Sequence, residues 1–318
     1  MTDSSTGHRG STREWPAGGG AAWPFLVVAV TAWASAFPAI RRAVTILDPG
    51  ELVVGRLLVA SAGLGVLMAP RLRRRGIPPA ADLRRLFVVG LLGVSGYQFL
   101  LNTGARTVSC ATAAVLVNLA PVVAALFAPA LVGERLSRRQ WVGVALAFGG
   151  SVAVATTEGG GFRLSWGAAA VFGSAVVAGL FVLRQKPLLE HYDALEVTGW
   201  ATILATLPTL VFLPGFLAEV STPEGAEVWP YLVWLGIGSS VVGYVLWAAG
   251  LRRTAATTAS MWLYLVPPIA AVLAWWWLDE ALTLALAAGA AVSLTGVRLA
   301  TAGSRAVARS SAAHPEQA

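Results

Sequence analysis

Apolar residues occur in blocks of about 20, and this block length constrains the fold more than any other feature of the chain. An α-helix of about 20 residues crosses the hydrocarbon core of a bilayer, where backbone amides must find hydrogen-bond partners within their own segment. Hydrophobic residues make up 56% of the 318 residues, charged residues 12%, and the mean hydropathy is +0.69. The sequence therefore predicts an all-α integral membrane protein.

The blocks predict ten transmembrane helices, joined by segments too short to form a separate soluble domain. The tails 1–20 and 304–318 are rich in small, polar and charged residues and are predicted to be disordered. The predicted spans cover about 23–43, 50–70, 86–105, 110–132, 138–157, 164–185, 195–217, 229–250, 256–278 and 282–303.

The basic residues are unevenly distributed between the two sides of the predicted bundle. With the N-terminus inside, all 23 except five fall on the cytoplasmic side; Arg41, Arg42, Arg106 and Arg163 fall outside, and Arg56 lies within a span. Cytoplasmic loops carry an excess of Lys and Arg, so both termini are expected in the cytoplasm of a protein in the cytoplasmic membrane. The cluster "RLRRRGIPPAADLRR" then serves as a topology signal that contacts anionic lipid, and the charge of +7 does not indicate a nucleic-acid partner.

The two halves of the chain are similar to each other at an offset of 146 residues. Each half holds five predicted spans, an odd number, so the second half is expected to enter the membrane in the opposite orientation, as an inverted repeat. The expected repeats are residues 21–157 and 158–303. The offset aligns Gly90 with Gly236, Gly104 with Gly250, Arg106 with Arg252, Pro121 with Pro267, Glu134 with Glu280 and Gly143 with Gly289.

Three features of the chain are characteristic when taken together. The first span contains "WASAFPAIR", the second begins with "ELVVGRLLVA", and a pattern of proline, apolar run and Glu-x-Leu-Ser/Thr occurs in both halves. With these features the chain resembles the EamA family of the drug/metabolite transporter superfamily. The resemblance covers roughly residues 23–303. It implies a secondary transporter, commonly an exporter of amino acids, metabolites or drugs. It also implies a central cavity lined mainly by the first, third, fourth, sixth, eighth and ninth spans.

Arg56 is the one ionisable residue deep within a predicted span. A charge at such depth is costly and often functional. One interpretation is that Arg56 extends toward the outer surface or pairs with Glu51. The other is that it faces the cavity and attracts a carboxylate or phosphate group.

Polar and aromatic side chains supply the remaining candidates for a substrate site. Ser95, Gln98 and Asn102 share one face of the third span, and Ser240, Tyr244 and Trp247 share one face of the eighth. Such stripes either bind neighbouring helices or line a wet path. Trp33 and Phe37, one turn apart in the first span, are expected either to form an aromatic wall of the cavity or to pack against other helices.

Prolines break the fourth and ninth spans. Pro121 and Pro267 each remove a hydrogen-bond donor and bend or open the helix locally. Asn118 and Tyr264 lie three residues before them. Transporter sites form at such breaks, so both residues are candidates for contact with substrate, against simple packing or capping of the freed carbonyls.

The acids that end these spans have a simpler interpretation. Glu134 and Glu280 precede Ser137 and Thr283, which can cap the next helix, so each acid is expected in a capped turn at the membrane surface, with a gating contact as the alternative.

The function expected from the sequence is transport. Histidines and acids do not cluster, so no metal, cofactor or catalytic group is predicted, and a membrane-bound lipid-modifying enzyme is the disfavoured alternative. A small metabolite or amino acid, exported by alternating access, is the first expectation; hydrophobic drug-like compounds or sugar derivatives are the second. The sequence leaves open whether the protein is a monomer or a homodimer.

Overall fold

The structure, a computed structural model, describes residues 21–132, 136–157, 165–251, 253, 259 and 262–302. All regular secondary structure in these ranges is helical, as predicted. Glu134, which the sequence places in a capped turn, and both tails lie outside the described residues. Seven helical segments of the described part are long and apolar enough to cross a membrane: Trp23–Ala43, Pro49–Arg75, Ala80–Ala105, Cys110–Phe127, Trp166–Gln185, Ala194–Val220 and Pro223–Leu251.

Three further predicted spans are also helical. The fifth forms a helix of 20 residues, Arg138–Thr157, while the ninth and tenth contain the shorter apolar helices Leu263–Leu278 and Leu284–Ala300. The third span begins at Ala80 instead of about 86. Its first turns carry Asp82, Arg84 and Arg85, so helix continues beyond the apolar block from which the boundary was predicted.

The α-helices are numbered α1 to α15 in chain order. In the first half they are α1 Trp23–Ala43, α2 Pro49–Arg75, α3 Ala80–Gly90, α4 Tyr97–Ala105, α5 Cys110–Val117, α6 Ala120–Val132 and α7 Arg138–Thr157. In the second half they are α8 Trp166–Gln185, α9 Ala194–Thr209, α10 Leu213–Val220, α11 Pro223–Ala226, α12 Trp229–Val233, α13 Gly243–Leu251, α14 Val266–Leu278 and α15 Leu284–Ala302.

Several helices begin at polar caps that satisfy otherwise unpaired backbone amides. Asp193 accepts a hydrogen bond from the Glu196 amide, while the Glu196 carboxylate accepts one from the Asp193 amide. The hydroxyl oxygens of Ser109 and Ser165 accept hydrogen bonds from amides in the first turns of α5 and α8, without the reciprocal bond. Thr283 accepts a hydrogen bond from the Leu286 amide, which confirms its predicted capping role.

A π-helical segment interrupts the third and the eighth spans at matching positions. The first covers Leu91–Gly96 and precedes α4, and the second covers Trp234–Val242 and precedes α13. Their last residues are separated by the same offset of 146 that aligns the two halves. A π turn carries one extra residue and is frequent at functional sites. Each segment therefore rotates the side chains that follow it relative to an uninterrupted α-helix.

Helices from different halves pack through contacts that also repeat at this offset. A Cβ atom at Gly104 in α4 would lie 2.4 Å from a methyl group of Val171 in α8, and one at Gly250 in α13 would lie 3.6 Å from Cβ of Phe25 in α1. These two pairs are related by the offset of 146 residues. The glycines allow close approach of the helices. Each half therefore packs its third span against the first span of the other half.

The helices α7 and α15 form another such pair. A Cβ at Gly150 would lie 2.4 Å from the Ser293 amide nitrogen, and one at Gly296 would lie 2.1 Å from the Ala147 amide nitrogen. These two contacts are equivalent in the two halves, because a shift of 146 residues converts one into the other. Beside them, the hydroxyl groups of Ser151 and Ser293 are 2.8 Å apart and hydrogen-bonded. The pair is held by backbone contact and a buried polar bond, which are effective between helices in a bilayer.

Candidate substrate cavity

A cavity of about 300 Å³ lies between the two halves, within one chain. This volume is at the lower end of the range typical of small-molecule sites. The lining comes from the six spans that the family resemblance implies, with Arg56 added from the second span. The lining residues are Trp33, Ala36, Phe37, Ile40, Arg56, Gly93, Tyr97, Leu101, Val117, Asn118, Ala120, Pro121, Ala178, Phe181, Val182, Ser239, Tyr244, Leu263 and Val266.

Arg56 reaches this cavity from α2 and is only 7% exposed. Its Nη2 and Nε atoms lie 3.2 and 3.4 Å from the hydroxyl oxygen of Ser240, which accepts from them. No carboxylate of the described residues lies within 4 Å of the guanidinium. Glu51, the partner considered from the sequence, instead accepts a hydrogen bond from the Asp48 amide at 2.9 Å. Arg56 therefore brings a cationic group with spare donors to the cavity.

An aromatic cluster forms the wall contributed by α1 and α13. The Trp33 ring lies 5.4 Å from the Tyr244 ring and 5.2 Å from the Trp247 ring, measured between centroids. The indole nitrogen of Trp33 donates a hydrogen bond of 3.1 Å to the backbone carbonyl of Ser239, in the second π-helical segment. This bond fixes the orientation of the indole. Phe37 lies one turn further along α1 and also lines the cavity.

The break predicted in the fourth span lies just ahead of Pro121. Helix α5 ends at Val117 and α6 begins at Ala120, with Pro121 in its first turn. The side-chain amide of Asn118 donates to the Ala114 carbonyl at 3.0 Å, a carbonyl that also accepts from the Asn118 backbone amide, and Asn118 lines the cavity. In the ninth span a short 3-10 turn, Leu263–Leu265, precedes α14, whose second residue is Pro267.

Three predicted residues lie away from the cavity lining. Asn102 is fully buried, and its amide nitrogen is 3.4 Å from the Pro49 carbonyl oxygen. The side-chain carbonyls of Asn102 and Gln98 accept no hydrogen bond from the described residues. Tyr264 is partly buried against the main hydrophobic core. The cavity thus brings together Trp33, Phe37, Arg56, Asn118, Pro121 and Tyr244.

The lining also contains residues that the sequence did not single out. Tyr97 precedes Gln98 in the third span, and Phe181 comes from α8, where no aromatic residue was predicted to line a pocket. Ser239 contributes the carbonyl that holds Trp33. The one available signal was Tyr97, a polar aromatic residue beside a polar stripe.

Glu280 lies at the end of α14, outside this cavity. One of its carboxylate oxygens accepts a hydrogen bond of 2.8 Å from the Cys110 amide at the start of α5, and the other is 3.9 Å from Nε of Arg41. The acid therefore joins the ends of three helices from both halves. Asp279, the preceding residue, has a left-handed backbone conformation with φ of 56° and ends α14.

Comparison with known proteins gives matches along nearly the whole chain. The EamA-like transporter family matches residues 21–156 and again residues 165–302. A protein of Streptantibioticus cattleyicolor named "Probable terminal-alkyne amino-acid exporter" is 37% identical over 86% of this chain and 91% of its own length. The Bacillus subtilis protein "Uncharacterized transporter YdfC" is 29% identical over 83% of this chain and 86% of its own length.

A solved crystal structure shares the fold. Its TM-score is 0.61 at 22% identity, and the match covers 90% of this chain and 98% of that chain. Together with the two family matches and the apolar helices, these similarities identify a multi-pass membrane protein of a transport family. The chain belongs to the EamA-like transporter family.

Proposed function

We propose that the protein is a secondary active transporter that exports small amino acids, or metabolites with a similar carboxylate group, across the cytoplasmic membrane. The observation that carries this proposal is the position of Arg56, a buried cation at the central cavity without a carboxylate partner among the described residues. A substrate carboxylate would supply that partner.

The guanidinium of Arg56 has more donors than its present contact uses. An arginine side chain carries five N–H donors, and Ser240 accepts from two of its nitrogens through one oxygen. Carboxylates bind such a planar fork through two parallel hydrogen bonds, which are stronger than bonds between neutral groups. Burial strengthens the attraction further because little water competes with it.

The remaining lining suits the rest of such a molecule. Trp33, Phe37, Tyr97, Phe181 and Tyr244 surround the cavity with aromatic surface. Their rings can pack against an apolar side chain, and their faces can attract an ammonium group by a cation–π interaction. The similarity to a probable amino-acid exporter supports this substrate class over drug-like compounds or sugar derivatives.

Alternating access is the proposed mechanism. The distribution of arginines supports both termini in the cytoplasm, and the odd number of predicted spans per half supports an inverted repeat. The breaks before Pro121 and Pro267 are the proposed flexing points, and rocking of the halves would expose the cavity to each side in turn. Gln98, Asn102 and Tyr264 remain proposed polar contacts that movement would bring to the cavity.

Transport by the purified protein in liposomes tests the proposal. Candidate amino acids are first found by comparing metabolites released from cells with and without the protein. Their uptake into proteoliposomes is then measured, with and without a pH gradient. We expect Arg56→Gln to lower carboxylate uptake by about 10- to 100-fold, since a hydrogen bond to a charged group contributes about 1.5–3 kcal/mol.

Arg84→Gln is the matched control, because Arg84 is an exposed arginine of the basic cluster and is not among the cavity-lining residues. This variant should transport at the wild-type rate. Arg56→Lys should retain part of the activity, since it keeps the charge without the planar fork. Wild-type uptake by Arg56→Gln, inserted at normal levels, would contradict the proposal.

A further inference from the structure

A second cavity of about 380 Å³ opens at the end of α1, beyond the central cavity. Helix α1 connects the two: Phe37 and Ile40 line the central cavity, and the next residues line the second one, which we call the arginine vestibule. Its lining consists of Arg41, Arg42, Val44, Thr45, Arg106, Leu278 and Glu280.

The arginine vestibule carries more positive than negative charge. Three of its seven lining residues are arginines and one is a glutamate. Arg106 pairs with Asp48 outside the lining. Arg41 donates to the Ala105 carbonyl, and its Nε is 3.9 Å from Glu280, a distance that makes only a weak pair.

Among the three arginines of the vestibule, Arg42 is the one best placed to donate hydrogen bonds to a ligand. It is exposed, and no carboxylate of the described residues lies within 4 Å of it. Glu280 does not compensate for it, because the Glu280 carboxylate is engaged by the Cys110 amide on one side and approaches Arg41 on the other. A concave site with one sign of excess charge concentrates ligands of the opposite sign.

We propose that the arginine vestibule is a second binding site for small carboxylates, with Arg42 as its main anchor and Arg41 and Arg106 as supporting charges. The proposal rests on the proposed function, since it gives an exported carboxylate a site of lower affinity on the way from Arg56 to the outside. Because the site is exposed, its affinity falls as ionic strength rises, whereas binding at buried Arg56 is less sensitive to salt.

Binding of 4-fluorobenzoate to the full-length protein, followed by fluorine NMR line broadening, tests the site. The protein is placed in nanodiscs of a zwitterionic lipid, so that no anionic head group competes. We expect two components in the wild type. Arg42→Gln should remove the salt-sensitive component or weaken it at least 5-fold, and Arg56→Gln should remove the other one. Arg84→Gln, the control for loss of an exposed arginine, should retain both.

The outcomes separate this inference from the proposed function. Binding of 4-fluorobenzoate that is unchanged from the wild type in Arg42→Gln, in Arg106→Gln and in the double variant would overturn the vestibule site. Equal broadening of the neutral probe 4-fluorobenzyl alcohol would overturn it too, since apolar contact would then explain the signal. Loss of the Arg42 component in nanodiscs that contain phosphatidylglycerol would assign the site to lipid head groups and also contradict the proposal. Unchanged binding and transport in Arg56→Gln would instead overturn the central site alone.

Discussion

The Nη2 atom of Arg56 lies 3.2 Å from the hydroxyl oxygen of Ser240, so the buried cation of the first half is held by a residue of the second half. The same hydroxyl donates a hydrogen bond of 2.8 Å to the Leu235 carbonyl, within the second π-helical segment. This carbonyl is five residues back along the chain, as the wider π turn allows. Ser240 therefore links the cation to the irregular helix opposite it.

We expect Ser240→Ala to destabilise the protein by about 1–3 kcal/mol, because it removes a buried acceptor from a charged donor. Ser239→Ala is the matched control: its backbone carbonyl, which accepts from Trp33, is kept. That variant should cost less than Ser240→Ala, because it removes no hydrogen bond to Arg56. Chemical or thermal unfolding in detergent measures both. Equal stability of the two variants would show that the Ser240 hydroxyl does not hold Arg56.

Adjacent glycines in α7 give a test of the packing against α15. A methyl group at Gly150 would lie 2.4 Å from the Ser293 amide nitrogen, whereas one at Gly149 would meet nothing within 4 Å. We expect Gly150→Ala to cost about 1–3 kcal/mol through overpacking. Gly149→Ala should be neutral or stabilise by up to about 1 kcal/mol, since alanine is the better helix former. Unfolding midpoints that change in the same direction would refute this packing.

The left-handed backbone conformation at the end of α14 favours glycine at that position. Asp279 has a φ of 56°, and Gly133 occupies the corresponding sequence position of the first half. Asp279→Gly should preserve or raise stability, because glycine adopts this conformation without a steric penalty. Asp279→Val should lower it by about 1–2 kcal/mol. The difference between these variants in thermal unfolding is the measurement, and a valine variant as stable as the glycine variant would contradict it.

We expect the protein to lose stability in acid because of Asp193, which caps α9. Burial alone would raise its pKa, but hydrogen bonds from the Glu196 amide, Arg71 and the Leu195 amide outweigh burial and hold the pKa below its ordinary value of 3.8. The folded state thus binds the proton less tightly than the unfolded state. The stabilisation is complete above the unfolded pKa and is lost as pH falls below about 4 through the folded pKa.

Asp193→Asn should keep the cap, since asparagine also accepts the amide hydrogen bond, but should lose the attraction to Arg71. We therefore expect a flatter dependence of the melting temperature on pH below about 4 than in the wild type. Melting curves collected between pH 3 and 6 compare the two. Parallel curves would mean that Asp193 does not contribute to the acid dependence.

Several helix bounds followed from the ends of the apolar blocks. Helix α1 ends at Ala43 and α5 begins at Cys110, as predicted, and α2 begins at Pro49, one residue before the predicted bound. The early start of α3 at Ala80 did not follow, because its charged first turns lie outside the apolar block. The π-helical segments were not predicted either, since one extra residue per turn leaves no separate hydropathy signal.

Part of the cavity lining was predictable from the sequence. Arg56 was identified from its depth in an apolar block, and Trp33 and Phe37 from their spacing of one turn. The polar face that contains Gln98 and Asn102 is predicted for a regular α-helix. In the structure a π-helical segment ends at Gly96, before both residues. Tyr97 lines the cavity, whereas Gln98 and Asn102 do not.

The offset that matches the glycines of α7 and α15 pairs unlike residues at the cavity. Arg56 corresponds to Thr202, and Trp33 corresponds to Gly179, where a Cβ would lie 2.8 Å from the Ala120 carbonyl. The helix contacts thus repeat in the two halves, whereas Arg56 and Trp33 have no counterpart of the same kind in the second half. A molecule with a distinct head and tail that binds there has one preferred orientation, and its mirror-image isomer would present its substituents to a different wall.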